Sequence, residues 1–353
     1  MTAITVRRMR AAILVRQREP LVVDDVEMPE TLGVGQVLVR ILVSGICGSQ
    51  IGEIDGVKGP DPHLPHLLGH EACGTVLERG PGVKRIATGD RVVLHWRKAP
   101  GIDADPPLYR WRGTRLNAGW VTTFNEYAVV SENRLTPIPA DVDPEIAALF
   151  GCPVTTAFGM VTRNARLTLG ESIVVIGCGG VGLAVIQAAV LSGAHPIVAV
   201  DVHDPKLDLA RRLGASHIVN SGGRGPAQGV RAVLGREGAD VVVENTGRPE
   251  LIRAAYELAA SNGRTILGGV PEHGKDASID TLPLHFGKVL TGSHGGEAEP
   301  ARDIPRYLRL IAAGRLDLRP LVTDRTALER INEALQRLRN GEVIGRCLVQ
   351  FEA

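Results

Sequence analysis

The sequence predicts an α/β protein with two domains, one rich in β-strands and one built on a doubly wound parallel sheet. The length of 353 residues exceeds what one compact core usually serves. Residues 1 to about 150 carry short Val/Ile/Leu runs between Gly/Pro turns, a pattern typical of strands. After about residue 155, strand and helix patterns alternate, which indicates a parallel sheet covered by helices.

The predicted strands and helices of each domain can be placed along the sequence. Strands of the β-rich domain are predicted at residues 11–15, 37–43, 91–94 and 126–130. In the second domain we predict strands at 172–177, 196–200, 239–243, 263–268 and 288–291, helices at 181–192, 205–213 and 249–260, and a surface loop at 220–230.

The end of the chain is expected to rejoin the β-rich domain. Helical patterns cover residues 303–313 and 327–340, and a strand-like run, Arg346 to Phe351, follows them. The predicted boundaries are therefore 1–154 with 294–353 for the first domain and 155–293 for the second.

Composition indicates a partner of low molecular weight. Lys and Arg number 40 against 39 Asp and Glu, so the net charge does not favour nucleic acid or a membrane surface. Five scattered cysteines suit a reducing compartment, and the apolar run from Ala11 to Val15 is too short for a signal peptide. We expect a cytoplasmic protein.

Residues 172–193 lack charge over a membrane-spanning length, but their clustered glycines favour a strand that turns into a helix.

Four scattered residues have the side chains of a metal site. Cys47, His70, Glu71 and Cys152 offer thiolate, imidazole and carboxylate, a mixture that suits Zn²⁺. Three protein ligands with a fourth position left exchangeable form the catalytic arrangement, and not the structural one. The sequence therefore predicts one catalytic zinc ion.

A glycine-rich loop predicts a dinucleotide site. Residues 177–182 match Gly-x-Gly-x-x-Gly, with glycines at 177, 179, 180 and 182, and lie between a predicted strand and an apolar helix. The helix N-terminus would present free N–H groups to a pyrophosphate. Asp201 closes the next strand, where a carboxylate accepts hydrogen bonds from the ribose of NAD and repels the extra phosphate of NADP. Lys206 is a further candidate at this ribose; a helix cap for Asp201 and a solvated lysine are the alternatives.

With these residues in place, the chain resembles the zinc-dependent alcohol dehydrogenases of the medium-chain dehydrogenase/reductase superfamily over nearly its whole length. The matching runs are Pro-Glu-x4-Gly-Gln-Val-Leu-Val-Arg at 29–40, Gly-Ile-Cys-Gly-Ser at 45–49, Gly-His-Glu-Ala-Cys-Gly-Thr-Val at 69–76, Gly-Asp-Arg-Val at 89–92, the glycine loop and Ile-Asn-Glu-Ala at 331–334. The resemblance implies a GroES-like catalytic domain, a Rossmann cofactor domain, NAD and a zinc-activated alcohol.

The resemblance also assigns roles. It implies zinc held by Cys47, His70 and Cys152, with Glu71 able to enter the coordination sphere and Ser49 as first proton acceptor; a satisfied loop hydroxyl is the alternative for Ser49. Its further cofactor contacts are Thr156 and Val181 behind the nicotinamide, the backbone at Val270, Gly292 and His294 at the carboxamide, and Arg346 at the pyrophosphate. The sequence alone predicts that Val181 and Val270 are aliphatic core residues and that Arg346 is an exposed charged residue. For His95 and His294 it favours a core or surface position over a direct catalytic role.

The sequence departs from the family in one long segment. Residues 95–125 contain no cysteine, so the second, structural zinc of many relatives has no ligands here. Instead the segment holds Trp96, Trp111, Trp120 and five Arg or Lys residues. Aromatic faces stack on sugar rings and arginines bind phosphate or carboxylate, so we expect a polyhydroxylated, anionic substrate. A surface lobe or subunit contact is the alternative.

Two smaller departures concern the proton and the zinc-bound imidazole. Gln50 replaces the usual aspartate, and its amide oxygen is expected to accept the His70 N–H. Gly52 stands where relatives carry a relay histidine, with His63, His66 or water as substitutes.

The predicted function is hydride transfer between NAD and a secondary alcohol of a polyol or sugar-like, anionic or phosphorylated compound. Alternatives are a redox-neutral isomerase, epimerase or lyase with transiently reduced NAD, and a metal-free NADPH-dependent enone reductase. The expected partners are a small alcohol or ketone and a second copy of the chain, in a homodimer or homotetramer.

Overall fold

The computed structural model describes residues 2–222, 225–235 and 237–352 and divides into two compact units. The first unit contains Met1–Cys152, Glu299–Ala313 and Val322–Ala353, and the second contains Pro153–Ala298 and Gly314–Leu321. The first boundary thus falls two residues before the predicted one and the second falls five residues after it. Residues 314–321 return to the second unit, which the sequence did not indicate.

The first 152 residues form most of the strands. The elements are β1 Thr2–Ala3, β2 Arg8–Leu14, β3 Val22–Glu27, β4 Thr31–Leu32, β5 Gln36–Ile46, α1 Gly48–Ile54, β6 His66–Leu67, β7 Glu71–Arg79, β8 Arg91–His95, β9 Tyr109–Trp111, β10 Thr114–Leu116, β11 Tyr127–Ser131, β12 Leu135–Ile138 and α2 Pro144–Ala148. A 3-10 turn, Leu149–Gly151, ends this stretch.

The second unit alternates strands and helices. Its elements are α3 Pro153–Gly159, β13 Ile173–Ile176, α4 Gly180–Leu191, β14 Ile197–Asp201, α5 Asp204–Arg212, β15 His217–Asn220, α6 Ala227–Leu234, β16 Ala239–Glu244, α7 Pro249–Leu258, β17 Ala259–Leu267 and β18 Val289–Gly292. The chain then ends with α8 Pro300–Ala312, β19 Val322–Ala327, α9 Ile331–Arg339 and β20 Arg346–Gln350 in the first unit.

Two sheets and a short strand pair build the described part of the first unit. One sheet has the order β10-β9-β3-β2-β6, and the other has the order β12-β8-β7-β5-β20-β19, with β11 also paired to β5. Eight of the eleven residues of β5 are buried, and β5 pairs with β7, β11 and β20. β20 pairs with β5, so the end of the chain does rejoin the first domain as expected.

The second unit contains the predicted doubly wound sheet. Its strands are parallel and run in the order β15-β14-β13-β16-β17-β18. All four residues of β13 are buried, as expected for an inner strand covered by helices on both faces. The strand order reverses between β13 and β16, and ligands of such sheets bind at the carboxyl ends beside this reversal.

The structure corrects one predicted loop and resolves one ambiguous segment. Residues 220–230 were expected to be a surface loop, but β15 ends at Asn220 and α6 begins at Ala227; positions 223 and 224 lie outside the described residues. The uncharged stretch 172–193 divides into β13 and α4. Across the described residues, no single helix has both the length and the hydropathy to cross a membrane, although the broken pair Pro144–Gly151 and Pro153–Asn164 together passes on length and composition.

Candidate zinc and dinucleotide sites

Cys47 is held at the junction of a strand and a helix. β5 ends at Ile46, and Cys47 caps α1 with an extended backbone, φ −108° and ψ 151°. Ser49 follows on the first turn of α1 and is exposed. The central, buried strand β5 therefore fixes the position from which the thiol and the serine hydroxyl project.

His70 and Glu71 depend on the glycine that precedes them. Gly69 has φ +90°, and a Cβ there would lie 2.8 Å from the backbone nitrogen of Phe124, so a larger residue would be both strained and obstructed. β7 begins at Glu71, which is fully buried and pairs in register with His95 of β8. The tight turn at Gly69 thus delivers the imidazole and the carboxylate to the end of the sheet.

Two further glycines enclose Glu71. A Cβ on Gly45 would lie 2.7 Å from the carboxyl carbon of Glu71, and a Cβ on Gly151 would lie 2.6 Å from the Glu71 Cβ and 2.5 Å from the Leu94 oxygen. Gly45 stands two residues before Cys47, and Gly151 directly precedes Cys152. Close packing around one carboxylate therefore also positions both thiols.

The four predicted metal ligands come together. The ligand atoms of Cys47, His70, Glu71 and Cys152 all lie within 4.8 Å of one another. Donors that surround one zinc ion tetrahedrally at 2.0–2.3 Å are about 3.3–3.8 Å apart, so the four ligand atoms lie within about 1 Å of the spacing that zinc requires. Oε2 of Glu71 is buried without a hydrogen-bond partner in the described part of the chain, which leaves one carboxylate oxygen available for a ligand.

The cluster carries the charges that a divalent cation requires. A hydrogen bond from Cys152 holds the pKa of the Cys47 thiol well below its usual range, against the opposing effect of burial, and His70 and Arg346 add to the lowering. Glu71 forms a buried ion pair with Arg346, whose side chain is only 4% exposed. Thiolate and carboxylate are the forms that bind zinc. The interpretation of Arg346 as an exposed charge was therefore wrong.

Gln50 orients the site differently from the expectation. Its side-chain oxygen accepts the Cys47 N–H at 3.1 Å, and its amide nitrogen lies against Nδ1 of His70. The oxygen was expected to accept a proton from His70 itself, but it already serves the Cys47 backbone. Gln50 therefore links two metal ligands, one through the backbone and one through the imidazole.

The glycine loop has the geometry of a dinucleotide site. Gly177 has φ +89°, and a Cβ on Gly182 would collide with the Gly177 carbonyl oxygen, so these two glycines form the turn. Gly179 is the N-cap of α4, and nothing lies within 4 Å of a Cβ built on it. In the part of the chain that the structure describes, no side chain therefore caps the N-terminus of this helix. Gly180 begins α4. The open backbone and free N–H groups at this helix start suit a pyrophosphate.

Asp201 ends β14 beside the glycine loop. Its Oδ2 accepts the Cys178 N–H at 2.7 Å, and its Oδ1 accepts the N–H groups of Val202 and His203. The carboxylate thus braces the loop and the turn before α5, whereas the helix cap itself is His203. The role of Asp201 at the ribose stays a prediction. Lys206 lies half-buried on the first turn of α5.

The other predicted cofactor residues differ in exposure. Thr156 on α3 has a buried hydroxyl oxygen that finds no hydrogen-bond partner within the described chain, and Val181 is half-buried on α4. Val270 is 56% exposed, so its interpretation as a core residue was wrong, and Gly292 and His294 are exposed as well. The backbone N–H of His294 already donates to the Glu297 carboxylate at 3.1 Å.

His95 and His66 are committed to other partners. His95 is buried, its ring nitrogens lie 2.7 Å from the Arg97 oxygen and 2.9 Å from Thr136 Oγ1, and burial lowers its pKa to about 4. His66 is buried between the Leu67 carbonyl and Asp61, each at 2.8 Å. The core interpretation of His95 is therefore correct, and neither ring nitrogen of His66 is available to a new partner.

The tryptophans of residues 95–125 lie in two different parts of the first unit. Trp111 donates to Asp24 at 2.9 Å, Arg112 binds the same carboxylate, and both lie at the β9–β10 edge of their sheet. β9, which carries Trp111, is three strand spacings, about 14 Å, from β6 at the opposite edge. Trp96, by contrast, directly follows His95, the strand partner of Glu71. Only part of the segment therefore adjoins the metal cluster.

Sequence reasoning missed the residues that support the metal ligands and the glycine loop. Gly45 and Gly151 give no signal of their contact with Glu71, because residues 71 and 151 are far apart in the chain. Asn245, at the end of β16, was also missed; its buried amide has no hydrogen-bond partner among the described residues and lies near Gly177 and Gly182. Its position after a predicted inner strand was the only available hint.

A thiolate–imidazole–carboxylate cluster and a dinucleotide-binding loop define an oxidoreductase that uses zinc and NAD. Comparison with known proteins gives the family. Residues 33–140 match the alcohol dehydrogenase GroES-like domain, and residues 180–313 match the zinc-binding dehydrogenase domain. S-(hydroxymethyl)glutathione dehydrogenase of Escherichia coli is 30% identical over 97% of this chain and 99% of its own length.

Solved structures agree with this relationship. Benzyl alcohol dehydrogenase from Acinetobacter calcoaceticus has a TM-score of 0.88 and 26% identity, over 98% of this chain and 100% of that one. For 2R,3R-butanediol dehydrogenase from Bacillus subtilis the TM-score is 0.77 and the identity 29%, with the same coverage. The chain belongs to the zinc-dependent alcohol dehydrogenases of the medium-chain dehydrogenase/reductase superfamily and is an NAD-dependent alcohol dehydrogenase. A metal-free enone reductase does not fit this family.

Proposed function

We propose that this dehydrogenase transfers hydride between NAD and a secondary alcohol on a polyol or sugar-like compound that carries an anionic group. The observation that carries the proposal is the position of Trp96. It directly follows His95, whose backbone pairs with Glu71, and the guanidinium of Arg97 lies 5.7 Å from the centre of its ring. An aromatic face bordered by a cation suits a ring-shaped substrate with a phosphate or carboxylate.

Trp120 extends the same aromatic surface. The Trp120 ring is 60% exposed, and its segment continues to Thr123, whose hydroxyl lies 3.4 Å from the Glu71 carbonyl. Arg134 connects the two tryptophans, because it binds the Trp96 carbonyl and its guanidinium lies 5.2 Å from the Trp120 ring. Arg134 therefore links the Trp120 ring to the backbone of Trp96, and both tryptophans would border the substrate.

The chain's own residues would divide the work as follows. Cys47, His70 and Cys152 would hold zinc, with Glu71 as an exchangeable carboxylate, and the ion would supply a Lewis acid that makes a substrate hydroxyl more acidic. Ser49, on α1, would accept the proton of that hydroxyl. The glycine loop, from Gly177 to Gly182, would bind the pyrophosphate of NAD and Asp201 would orient its ribose.

The remaining cofactor contacts stay proposals. Thr156 and Val181 would pack behind the nicotinamide, and Val270, Gly292 and His294 would present backbone groups to the carboxamide. Arg346 would reach the pyrophosphate; its ion pair with Glu71 would then be exchanged for, or shared with, the phosphate. Lys206 would touch the ribose.

An aromatic alcohol is a second candidate substrate. Trp96 and Trp120 would stack on an aromatic ring as well as on a sugar ring. The similarity to benzyl alcohol dehydrogenase supports this candidate, whereas the similarity to S-(hydroxymethyl)glutathione dehydrogenase supports an anionic substrate. The tryptophan surface accommodates both, so the anionic group is the feature that a substrate panel must vary.

The test is a panel of polyols, sugar phosphates, nucleotide sugars, benzyl alcohols and short primary alcohols, read by NADH formation at 340 nm. We expect the highest kcat/KM with an anionic polyol, and a rise of at least tenfold in its KM for Trp96→Ala. Trp111→Ala is the matched control, because Trp111 binds Asp24 at the far edge of its sheet, and its KM should not change. Preference for uncharged primary alcohols would contradict the proposal, and turnover without NADH would indicate a redox-neutral reaction.

We further propose that the enzyme is a homodimer or homotetramer in a reducing compartment. β18 is the last strand in the order of the parallel sheet, and the nearby side chains of Leu282 and Phe286 are 62% and 72% exposed. An exposed apolar edge favours pairing with a second copy. All five cysteines are buried free thiols, which suits the cytoplasm. Light scattering should give a mass at least twice 37.6 kDa.

A further inference from the structure

Oxidation of an alcohol releases a proton as well as a hydride, and the proton needs a route out of the site. NAD takes the hydride, so the hydroxyl proton passes to the protein or to water. A serine hydroxyl can pass a proton on, but near neutral pH it cannot hold a second proton in addition to its own. Ser49 therefore needs a titratable neighbour.

Glu53 is the titratable side chain placed next to Ser49. It follows Ser49 by four residues on α1, and side chains four apart on a helix are neighbours, with about 5–6 Å between their Cβ atoms. Gly52 offers no side chain in between. His66, a candidate from sequence, already engages the Leu67 carbonyl and Asp61 through its two nitrogens.

The surroundings of Glu53 suit proton exchange. Its carboxylate is half-buried and makes no hydrogen bond or ion pair with the described residues. It lines a cavity of about 200 Å³ whose wall also includes Lys58 and Asp61. A polar cavity of this size holds several water molecules. The carboxylate thus connects the helix of Ser49 with a space that water can occupy.

The charged groups around Glu53 adjust its basicity. Burial raises the pKa of its carboxyl, the neighbouring side chains of His66, Lys58 and His70 oppose that rise, and Asp61 adds to it. A carboxylate with a raised pKa accepts a proton more readily at neutral pH and can still release it to water. The groups that face Glu53 therefore come from the loop after α1, which carries Lys58 and Asp61, from His66 on β6 and from His70 just before β7.

We propose that Glu53 accepts the proton that Ser49 takes from the substrate hydroxyl and releases it to water in the adjoining cavity. The inference rests on the proposed role of Ser49. As Ser49 Oγ binds the substrate proton, its own O–H bond breaks and an O–H bond forms on the Glu53 carboxylate. Loss of that proton to water restores the starting state. No electrons move in these steps, so no further reactant is needed.

The test compares pH profiles of kcat/KM for alcohol oxidation in the zinc-loaded enzyme and its variants. Glu53→Gln keeps the shape but cannot titrate, so we expect a fall of about 100-fold at pH 7 and loss of the acidic limb of the profile. Zinc content and the KM for NAD should not change. Glu53→Asp should recover part of the rate, and formate in the buffer should raise the rate of Glu53→Gln.

Matched variants separate this proposal from the others. Glu19→Gln removes an exposed carboxylate that pairs with Arg16 outside both sites, and it should behave as wild type. A Glu53→Gln enzyme with wild-type rate and pH profile would overturn the role of Glu53. If Ser49→Ala then still loses activity, the proposed role of Ser49 survives alone. If Glu53→Gln does not fold, the rates of Glu53→Asp and Glu53→His decide, because only a titratable side chain should sustain the relay.

Discussion

Gly151 and Glu71 touch so closely that a methyl group on Gly151 would lie 2.6 Å from the Cβ of Glu71. We predict that Gly151→Ala destabilises the protein by about 1–3 kcal/mol, because the nearest atoms include backbone that cannot move aside. The zinc content should fall too, since Cys152 follows directly. Thermal unfolding and metal analysis measure both effects. Gly119→Ala is the control, because its Cβ would meet nothing closer than 3.8 Å; equal stability of the two variants would contradict the packing argument.

The buried pair of Arg346 and Glu71 makes a second prediction. Arg346→Leu leaves the fully buried Glu71 carboxylate without its counter-charge, so we expect a loss of about 3–5 kcal/mol in the free energy of unfolding. Urea unfolding of the zinc-free protein measures it. Arg346→Leu combined with Glu71→Gln should recover part of the loss, because the unpaired charge is gone. A double variant as unstable as the sum of the two single variants would rule out this coupling.

Selectivity for NAD is predicted to depend on Asp201. Asp201→Ser removes the carboxylate that repels the 2′-phosphate, so the ratio of kcat/KM with NADP to that with NAD should rise at least tenfold. Part of the NAD activity should be lost as well, because the Asp201 carboxylate also binds the Cys178 N–H. Steady-state kinetics with both cofactors provide the test, and Asp208→Asn on the exposed face of α5 is the control. An unchanged cofactor ratio would refute the assignment.

Stability should fall in acid because of His95. Burial lowers the pKa of its folded form to about 4, below the value of about 6.5 in an unfolded chain. Between these two values the unfolded chain binds a proton that the folded protein does not, so stability decreases as the pH falls from about 6.5 to 4, by about 3 kcal/mol in total. Unfolding of the zinc-free protein across this range should show a steeper slope for wild type than for His95→Asn. Parallel slopes would contradict the prediction.

Local signals in the sequence were enough for the glycine loop and the doubly wound sheet. Gly177 and Gly182 shape a turn that only glycine fits, and a buried strand and an apolar helix flank it within a few residues. The helix from Ala227 was missed because glycines surround a short amphipathic pattern, and glycine weakens any helical signal. Tertiary packing of that helix outweighs its weak propensity.

The metal ligands could be named from their chemistry, but their convergence could not be derived from spacing. Cys152 lies 81 positions beyond Glu71, and only the family resemblance indicated that the two meet. The environment of Arg346 was equally hidden, because an arginine near a chain end resembles any exposed charge. Its burial depends on the pairing of β20 with β5, a contact between residues about 300 positions apart.

Because β20 pairs with β5, the two units gain their last strands at different times during synthesis. By the time residue 298 has left the ribosome, all six described strands of the second unit's sheet are available, whereas the first unit still lacks the strand beside β5. Glu71 gains its ion-pair partner only when Arg346 emerges. The parallel sheet of the nucleotide-binding unit is therefore complete before the metal-binding unit gains β20, and a nascent chain arrested before Arg346 has a Glu71 carboxylate without its counter-ion.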